Sequence, residues 1–191
     1  MSSVIGKVYF AATSLIRMVA IKAFHGKNFS CGKLPYLKGK VDIDLNNKAT
    51  LKLGNKIKMM EGDRLGVRET AVLVIGDLTS INVGTMIICH DKIEIGEDTQ
   101  IGPYCQIFDH DHAYKTTEDL DSQKFISAPI SIGKHVWIGA NCVILRGTVI
   151  GDHCVVAAGT VLKGTYKANS LIYTKREIKT KNITDKLEEH L

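Results

Sequence analysis

The sequence predicts an all-β fold. It is a parallel β-helix wound as a triangular prism, with an N-terminal helix, an extruded loop and a short C-terminal helical tail. Three observations predict it. Large aliphatic residues recur every six positions. Small residues, often glycine, follow them directly. Aromatic residues make up only 6% of a chain that is 45% hydrophobic, which suits thin repeated packing layers better than a bulky core.

The clearest row is Ile132, Ile138, Ile144, Ile150, Val156 and Leu162. A second row starts two residues earlier, at Ile130, Val136, Cys142, Thr148, Cys154 and Thr160; after Ile130 it is small or β-branched. Gly133, Gly139 and Gly151 follow aliphatics of the first row. Upstream, Ile95, Ile101 and Ile107 keep the period, as do Ile75, Ile81, Ile87 and Ile93, and Leu53, Met59 and Leu65 extend it weakly. A helix repeats every 3.6 residues and a strand every 2. A strict period of six fits one short strand plus a turn per face, with three faces closing a coil in about 18 residues. Each aliphatic then points into the prism, and the small residue beside it permits the corner. Cys105, Cys142 and Cys154 fall on the small inward row, as core filler rather than nucleophiles.

The frame breaks twice. The phase shifts by two between Ile93 and Ile95, and regularity stops between Ile107 and Ile130. The polar stretch from Asp109 to Ala128 is expected to be a loop extruded from the coil, the usual place for function on a rigid scaffold.

The 191 residues suit one domain with terminal additions. Residues 1–48 are expected to hold a helix and a lead-in, residues 49–165 the β-helix with its loop at 109–128, and residues 166–191 a strand (Leu171, Ile172, Tyr173) and a basic helical tail. Such ends cap a solenoid that otherwise exposes unpaired strands. Val4 to Phe24 is apolar, but Lys7, Arg17 and Lys22 interrupt it, which argues against a membrane-spanning helix. Val4, Val8, Ala12, Leu15, Val19 and Ala23 fall at helical spacing. They predict an amphipathic helix docked by that stripe on the protein's own body, with membrane contact as the alternative.

Net charge is +5 and the pI is near 8.9. Basic residues are in local excess in the tail, at Lys163, Lys167, Lys175, Arg176, Lys179 and Lys181, an end that could meet nucleic acid, acidic glycan or a phosphorylated cofactor, or be a solvated face. The five cysteines are odd in number and no cleavable signal sequence is evident, so reduced thiols in a cytoplasmic protein are expected. No CxxC pair suggests zinc.

His110 and His112 sit where the coil gives way to the loop. On a strand they share one face, with Asp109 and Asp111 alternating. Three readings stay open: a metal pair without an obvious third ligand, a surface cluster, or a general base. Imidazole can take a proton from a hydroxyl near neutral pH if Asp109, Asp111 or a backbone carbonyl orients its other nitrogen.

The stretch IEIGEDTQIGPYCQIFDHDHAY, followed by PISIGKHVWIGANCVILRGTVIGDHCVVAAGTVL, resembles the hexapeptide-repeat acyltransferases. It is most similar to the galactoside and maltose O-acetyltransferase branch and to the O-acetyltransferases of bacterial surface polysaccharides. The resemblance covers roughly residues 70–165. It implies a left-handed β-helix and a homotrimer with active sites between subunits. Acetyl-CoA would be the co-substrate and a sugar or glycan the acceptor, with neither metal nor nucleic acid involved.

Carried over residue by residue, the resemblance makes His112 the base that deprotonates the acceptor hydroxyl. Asn82 contacts the acceptor, with His110 and Asp109 beside it. Trp137 walls the pocket against acceptor and cofactor. Backbone amides near Gly139 and Ala140 face the thioester oxygen. Ala158, Gly159 and Thr160 let the pantetheine arm lie along the coil, and Lys163, Lys175 and Arg176 meet the CoA phosphates. There are departures. Leu162-Lys163-Gly164 replaces the family's Thr-Lys or Thr-Arg, and Ile172-Tyr173-Thr174-Lys175 replaces Gly-Asn-Pro-Ala, so the adenine end binds differently. His110 is additional relative to the sugar-utilisation enzymes.

Other readings remain. Trp137 could be a surface packing residue and Asn82 a turn residue. The protein could be a sugar N-acetyltransferase acting on an amino-sugar nucleotide, a non-enzymatic β-helix binding module, or a metal-dependent hydratase needing three convergent histidines. A peripheral place at the inner face of a membrane is left open.

Overall fold

The structure is a computed structural model, and it describes residues 4–113, 125–175 and 177–180. It is a left-handed parallel β-helix with helix α1 (Val4–His25) across its N-terminal end. Three sheets form the prism faces. The first face has seven strands, from Phe29–Cys31 to Thr165–Tyr166; the second has seven, from Tyr36–Leu37 to Leu171–Ile172; the third has six, from Asp42–Leu45 to Val161–Leu162. Every pairing within these faces is parallel, as a coil rising by one rung per turn requires. The coils thus begin at Phe29 and run to Ile172, past both ends of the 49–165 span read from sequence.

The aliphatic rows explain the winding. Ile132, Ile138, Ile144, Ile150, Val156 and Leu162 are all buried, and each stacks on its counterpart one coil away. Cys105, Cys142 and Cys154 are sealed in the core as expected. Burial raises the less deeply placed Cys31 thiol to about 11, so it stays protonated at neutral pH.

The phase break at Ile93 has a simple cause. In the longer strands of the first face, positions two apart both point inward, so Ile93 and Ile95 are both core. Successive rungs lie 22, 22, 20, 37, 18 and 16 residues apart, counted from Phe29↔Leu51, Leu51↔Leu73, Leu73↔Ile93, Ile93↔Ile130, Ser131↔Val149 and Val149↔Thr165. Only one rung has the 18 residues that three hexapeptides supply. Each longer coil takes its extra residues at the edge where the third face returns to the first. That edge contains Arg68 and Glu69, then His90 and Asp91, then the long insertion.

The glycines act differently from the expectation. At the edge between the first and second faces, the left-handed turn position is held by non-glycine residues such as Leu78, Asp98, His135 and His153. The glycine two residues earlier is needed for space. A Cβ on Gly96 would lie 2.5 Å from the backbone of Gly133, and one on Gly133 would lie 2.6 Å from the backbone nitrogen of Asp152. Neighbouring coils touch there, backbone to backbone.

Helix α1 reverses a prediction. The stripe of Val8, Ala12, Leu15, Val19 and Ala23 faces outward. The helix docks through Phe10, Ser14, Met18 and Ile21 instead. Ser14 Oγ accepts the Leu37 N–H at 2.7 Å, which fixes the helix to the first coil through a buried polar contact that apolar periodicity cannot reveal. Beyond Ile172, residues 173–175 and 177–180 carry no regular element, and the remainder of the expected helical tail lies outside the described residues.

Candidate active site

The coil that ends at Gln106–Phe108 leads directly into the insertion. Asp109 keeps the inward parity of Ile107 and is fully buried. Its carboxylate accepts the N–H groups of His90 and Asp91, both at 2.8 Å, and the Cys89 thiol at 3.4 Å. Its carbonyl accepts the Ala128 N–H at 2.9 Å. One residue therefore ties the outgoing chain, the returning chain and the preceding coil together. Burial, and then the Asp109 charge, push the Cys89 thiol far up, so it remains a donor. The expected contact between Asp109 and an acceptor does not survive, because its carboxylate is sealed.

Beyond Asp109 the insertion leaves as an antiparallel hairpin, His110–His112 against Phe125–Ser127, with His112 opposite Phe125. Residues 114–124 of the expected loop lie outside the described residues. His110 and His112 share a face, since both rings pack on Phe125, with centroids 5.1 and 4.8 Å away. His110 is the enclosed member. It lies 4.0 Å from the His90 ring, and its Nδ1 is buried 3.4 Å from an Asp109 oxygen without hydrogen-bond geometry. Burial, and then repulsion from His110, hold the His90 pKa below that of a free imidazole.

His112 is the exposed member. The carboxylates that precede it in sequence are engaged elsewhere. Asp109 serves His90 and Asp91, while Asp111, on the opposite hairpin face, accepts Arg146 Nε at 2.5 Å. Neither holds the His112 ring, so two of the three orienting groups that the sequence offered are engaged elsewhere. Among the described residues no group of three His, Cys, Asp or Glu side chains converges to hold a metal.

Most of the remaining candidates lie along a different edge, where the second face turns into the third, while Lys163 follows Val161–Leu162 at the third edge. Asn82 is exposed there, and its Oδ1 accepts the Val83 N–H at 2.9 Å, a local turn contact. Trp137, on the second face, is 59% exposed, far from a packed core position. The Gly139 amide donates to Val156 O at 2.8 Å and the Gly159 amide to Ala140 O at 2.8 Å, so both serve the inter-coil ladder. Gly139 N–H is thus no free donor for a thioester oxygen, and Ala140 is left as the candidate of that pair. Thr160 is turned into the core with its hydroxyl on Ala157 O at 2.7 Å, so its side chain cannot line a cofactor groove. Ala158 and Lys163 stand exposed. Arg176 lies outside the described residues.

Sequence reasoning missed His90, Phe125 and Arg146. His90 had a signal: it lies one coil before His110 on the edge that lengthens. Phe125 and Arg146 had none, because a hairpin and an ion pair spanning 35 positions leave no periodic trace. Cavity size does not mark the site either. Clefts of about 490 and 420 Å³ lie elsewhere, one along Lys56, Asp77 and Glu97 and the other beside α1, between its Val8–Leu15 side and the first coil. The first is a shelf of lysine, carboxylate, asparagine and leucine side chains with no nucleophile, unlike the histidine hairpin.

Residues 129–163 match the family described as the hexapeptide repeat of succinyl-transferase. Nodulation protein L of Rhizobium meliloti (strain 1021) is 42% identical over 73 residues, covering 38% of this chain and 39% of that protein. The match thus spans about two fifths of that relative's length. The putative lipopolysaccharide biosynthesis O-acetyl transferase WbbJ of Escherichia coli (strain K12) is 29% identical over 136 residues, covering 67% of this chain and 69% of the other. Among solved structures, a point mutant of AntD, an N-acyltransferase from Bacillus cereus, in complex with dTDP-4-amino-4,6-dideoxyglucose and Coenzyme A, superposes with a TM-score of 0.65. It does so at 18% identity, over 90% of this chain and 92% of that one. At that identity the likeness is one of fold. Residues 129–163 are thus similar to the hexapeptide-repeat family, and the coils on either side continue the same winding.

Proposed function

We propose that the chain is an acetyl-CoA-dependent O-acetyltransferase acting on a hydroxyl of a sugar or surface-glycan precursor, with His112 as general base. The observation that carries this reading is the hairpin. It sets one exposed imidazole on a ridge whose root is locked by Asp109 and whose back is held by the Asp111–Arg146 pair. His112 takes the hydroxyl proton as the oxygen attacks the thioester carbonyl carbon. The tetrahedral intermediate then expels the CoA sulfur, which recovers the proton from His112. An imidazole nitrogen can both accept and return a proton, as the two transfers require.

The named O-acetyl transferase relative supports the hydroxyl acceptor, and the AntD complex, with its CoA and sugar nucleotide, supports the donor and substrate class. Within one chain, His112 and the Asn82 and Trp137 set lie on opposite sides of the third face. A homotrimer, in which one subunit's third edge meets a neighbour's second edge, unites them.

The test is His112→Ala. Acetyl transfer should fall about 10²- to 10⁴-fold while CoA binding and the melting temperature stay unchanged. Turnover near that of the wild type refutes the assignment. Hydroxyl and amino-sugar nucleotide acceptors run side by side separate O- from N-transfer.

A further inference from the structure

The outward face of α1 is covered with large apolar side chains. Phe24 is 85% exposed, Ile16 69%, and Val8, Tyr9, Leu15 and Val19 about 60% each. With Ala12, Ala20 and Ala23 between them, they form an apolar arc along a helix about 33 Å long. Arg17 and Lys22 are drawn back towards the solenoid: Arg17 donates to the carbonyls of Gly39 and Val41, and Lys22 to that of Phe29 at 2.7 Å. An apolar cleft of about 420 Å³ opens between Val8, Ala12 and Leu15 on the helix and Leu34 and Tyr36 on the first coil.

Charge supplies an independent observation. Residues 1–60 hold 11 Lys and Arg against 2 Asp, a net +9, whereas residues 61–191 hold 14 against 18, a net −4. The overall +5 therefore hides a strong polarity along the prism axis. Lys27, between the helix and the first coil, and Lys33, Lys38, Lys40, Lys48 and Lys52, on the coils next to the helix, are all exposed.

We infer that this capped end is a docking surface for an anionic phospholipid bilayer. Helix α1 lies in the interface plane, its outer arc reaches the acyl region and the first-coil lysines meet the headgroups. The helix is not long and apolar enough to cross a membrane, so it lies on the bilayer. Lipid fits this surface better than a second copy meeting it face to face, because the latter would set +9 against +9. The inference does not rest on the acetyltransferase reading.

The experiment is co-sedimentation of the full chain with two kinds of vesicle: equal parts phosphatidylcholine and phosphatidylglycerol, or phosphatidylcholine alone. The chain should bind the anionic vesicles at least about tenfold more tightly, and less so in high salt. Ile16→Gln with Phe24→Gln should weaken binding to both vesicles about tenfold or more. Those side chains touch no core, so the circular dichroism melt should not change. Lys27→Gln, Lys33→Gln and Lys38→Gln together should remove the preference for phosphatidylglycerol. No sedimentation of the wild-type chain, or equal sedimentation of the variants, overturns the proposal. So does a fall in particle mass of the Ile16/Phe24 variant without lipid, since the face would then cover another copy.

Discussion

At the residue scale, parity along the strand decides what a polar side chain does, ahead of its chemical type. Asp109 stands beside two histidines in the sequence and invites a catalytic role. Yet it lies two positions after Ile107 and so points into the prism. There it accepts two backbone N–H groups and a thiol. Asp109→Asn keeps the size but puts a donor where acceptor lone pairs are needed. It should cost about 1–3 kcal/mol, read by thermal melting, with hydrogen exchange rising first at His90, Asp91 and Ala128. Thr160, two positions before Leu162, obeys the same rule, and its inward turn was legible in the row that contains it. Asp63, two before Leu65, is a third case. Burial raises its carboxyl from 3.8 to about 6, against the lowering effect of the Met60 and Thr85 N–H groups. The folded state therefore holds a proton that the unfolded chain has released. On this account stability is greatest below about pH 4, falls as pH rises through the window from 3.8 to about 6, and is level above it. The full effect is at most about 3 kcal/mol. Subtracting the pH-dependent melting curve of Asp63→Asn from that of the wild type isolates this slope, and a flat difference between about pH 4 and 6 contradicts it.

At the element scale, the coil was legible because its inward positions face nothing but the same position of the next coil. That selects one residue class per rung and writes a period into the chain. The edges were not legible, because solvent accepts any length there. The third edge absorbs four extra residues, then two, then the insertion, without disturbing a single core position. The proposed base, His112, accordingly sits on the edge whose length is free. The first edge is the opposite case. Gly96 and Gly133 leave no room for a Cβ between coils, although neither has a left-handed φ. Gly133→Ala must push the backbone of Asp152 away and break the contact between two rungs. It should lower stability by about 1–3 kcal/mol, seen as a reduced denaturant midpoint. Because each coil touches only its neighbours, the loss should appear as early exchange in the rungs at Ile132 and Ile150, ahead of those near Leu51. The orientation of α1 was illegible for a related reason. The helix is apolar around most of its circumference, so spacing alone could not choose the docked face, and the buried Ser14–Leu37 hydrogen bond made the choice.

At the scale of the whole molecule, the geometry of one chain divides the candidate machinery. His112 rises from the third edge, whereas Asn82 and Trp137 flank the second. No rearrangement of a rigid prism brings these edges together, because the third face lies between them, paired rung by rung. The proposed trimer makes a sharp quantitative demand. Let His112→Ala and Asn82→Ala each be inactive alone, and let the two be co-expressed in equal amounts and assembled at random. A site between subunits takes its imidazole from one chain and its amide from the next. About a quarter of such sites draw both intact groups, so activity should return to about a quarter of the wild-type level. Sites confined to single chains would always lack one group, and the mixture would stay as inactive as its components. Intermediate recovery that tracks the mixing ratio, with a maximum at equal amounts, is the signature of two edges meeting across a subunit boundary. It distinguishes that arrangement from simple stabilisation of one variant by the other, which would leave the activity of every mixture at background.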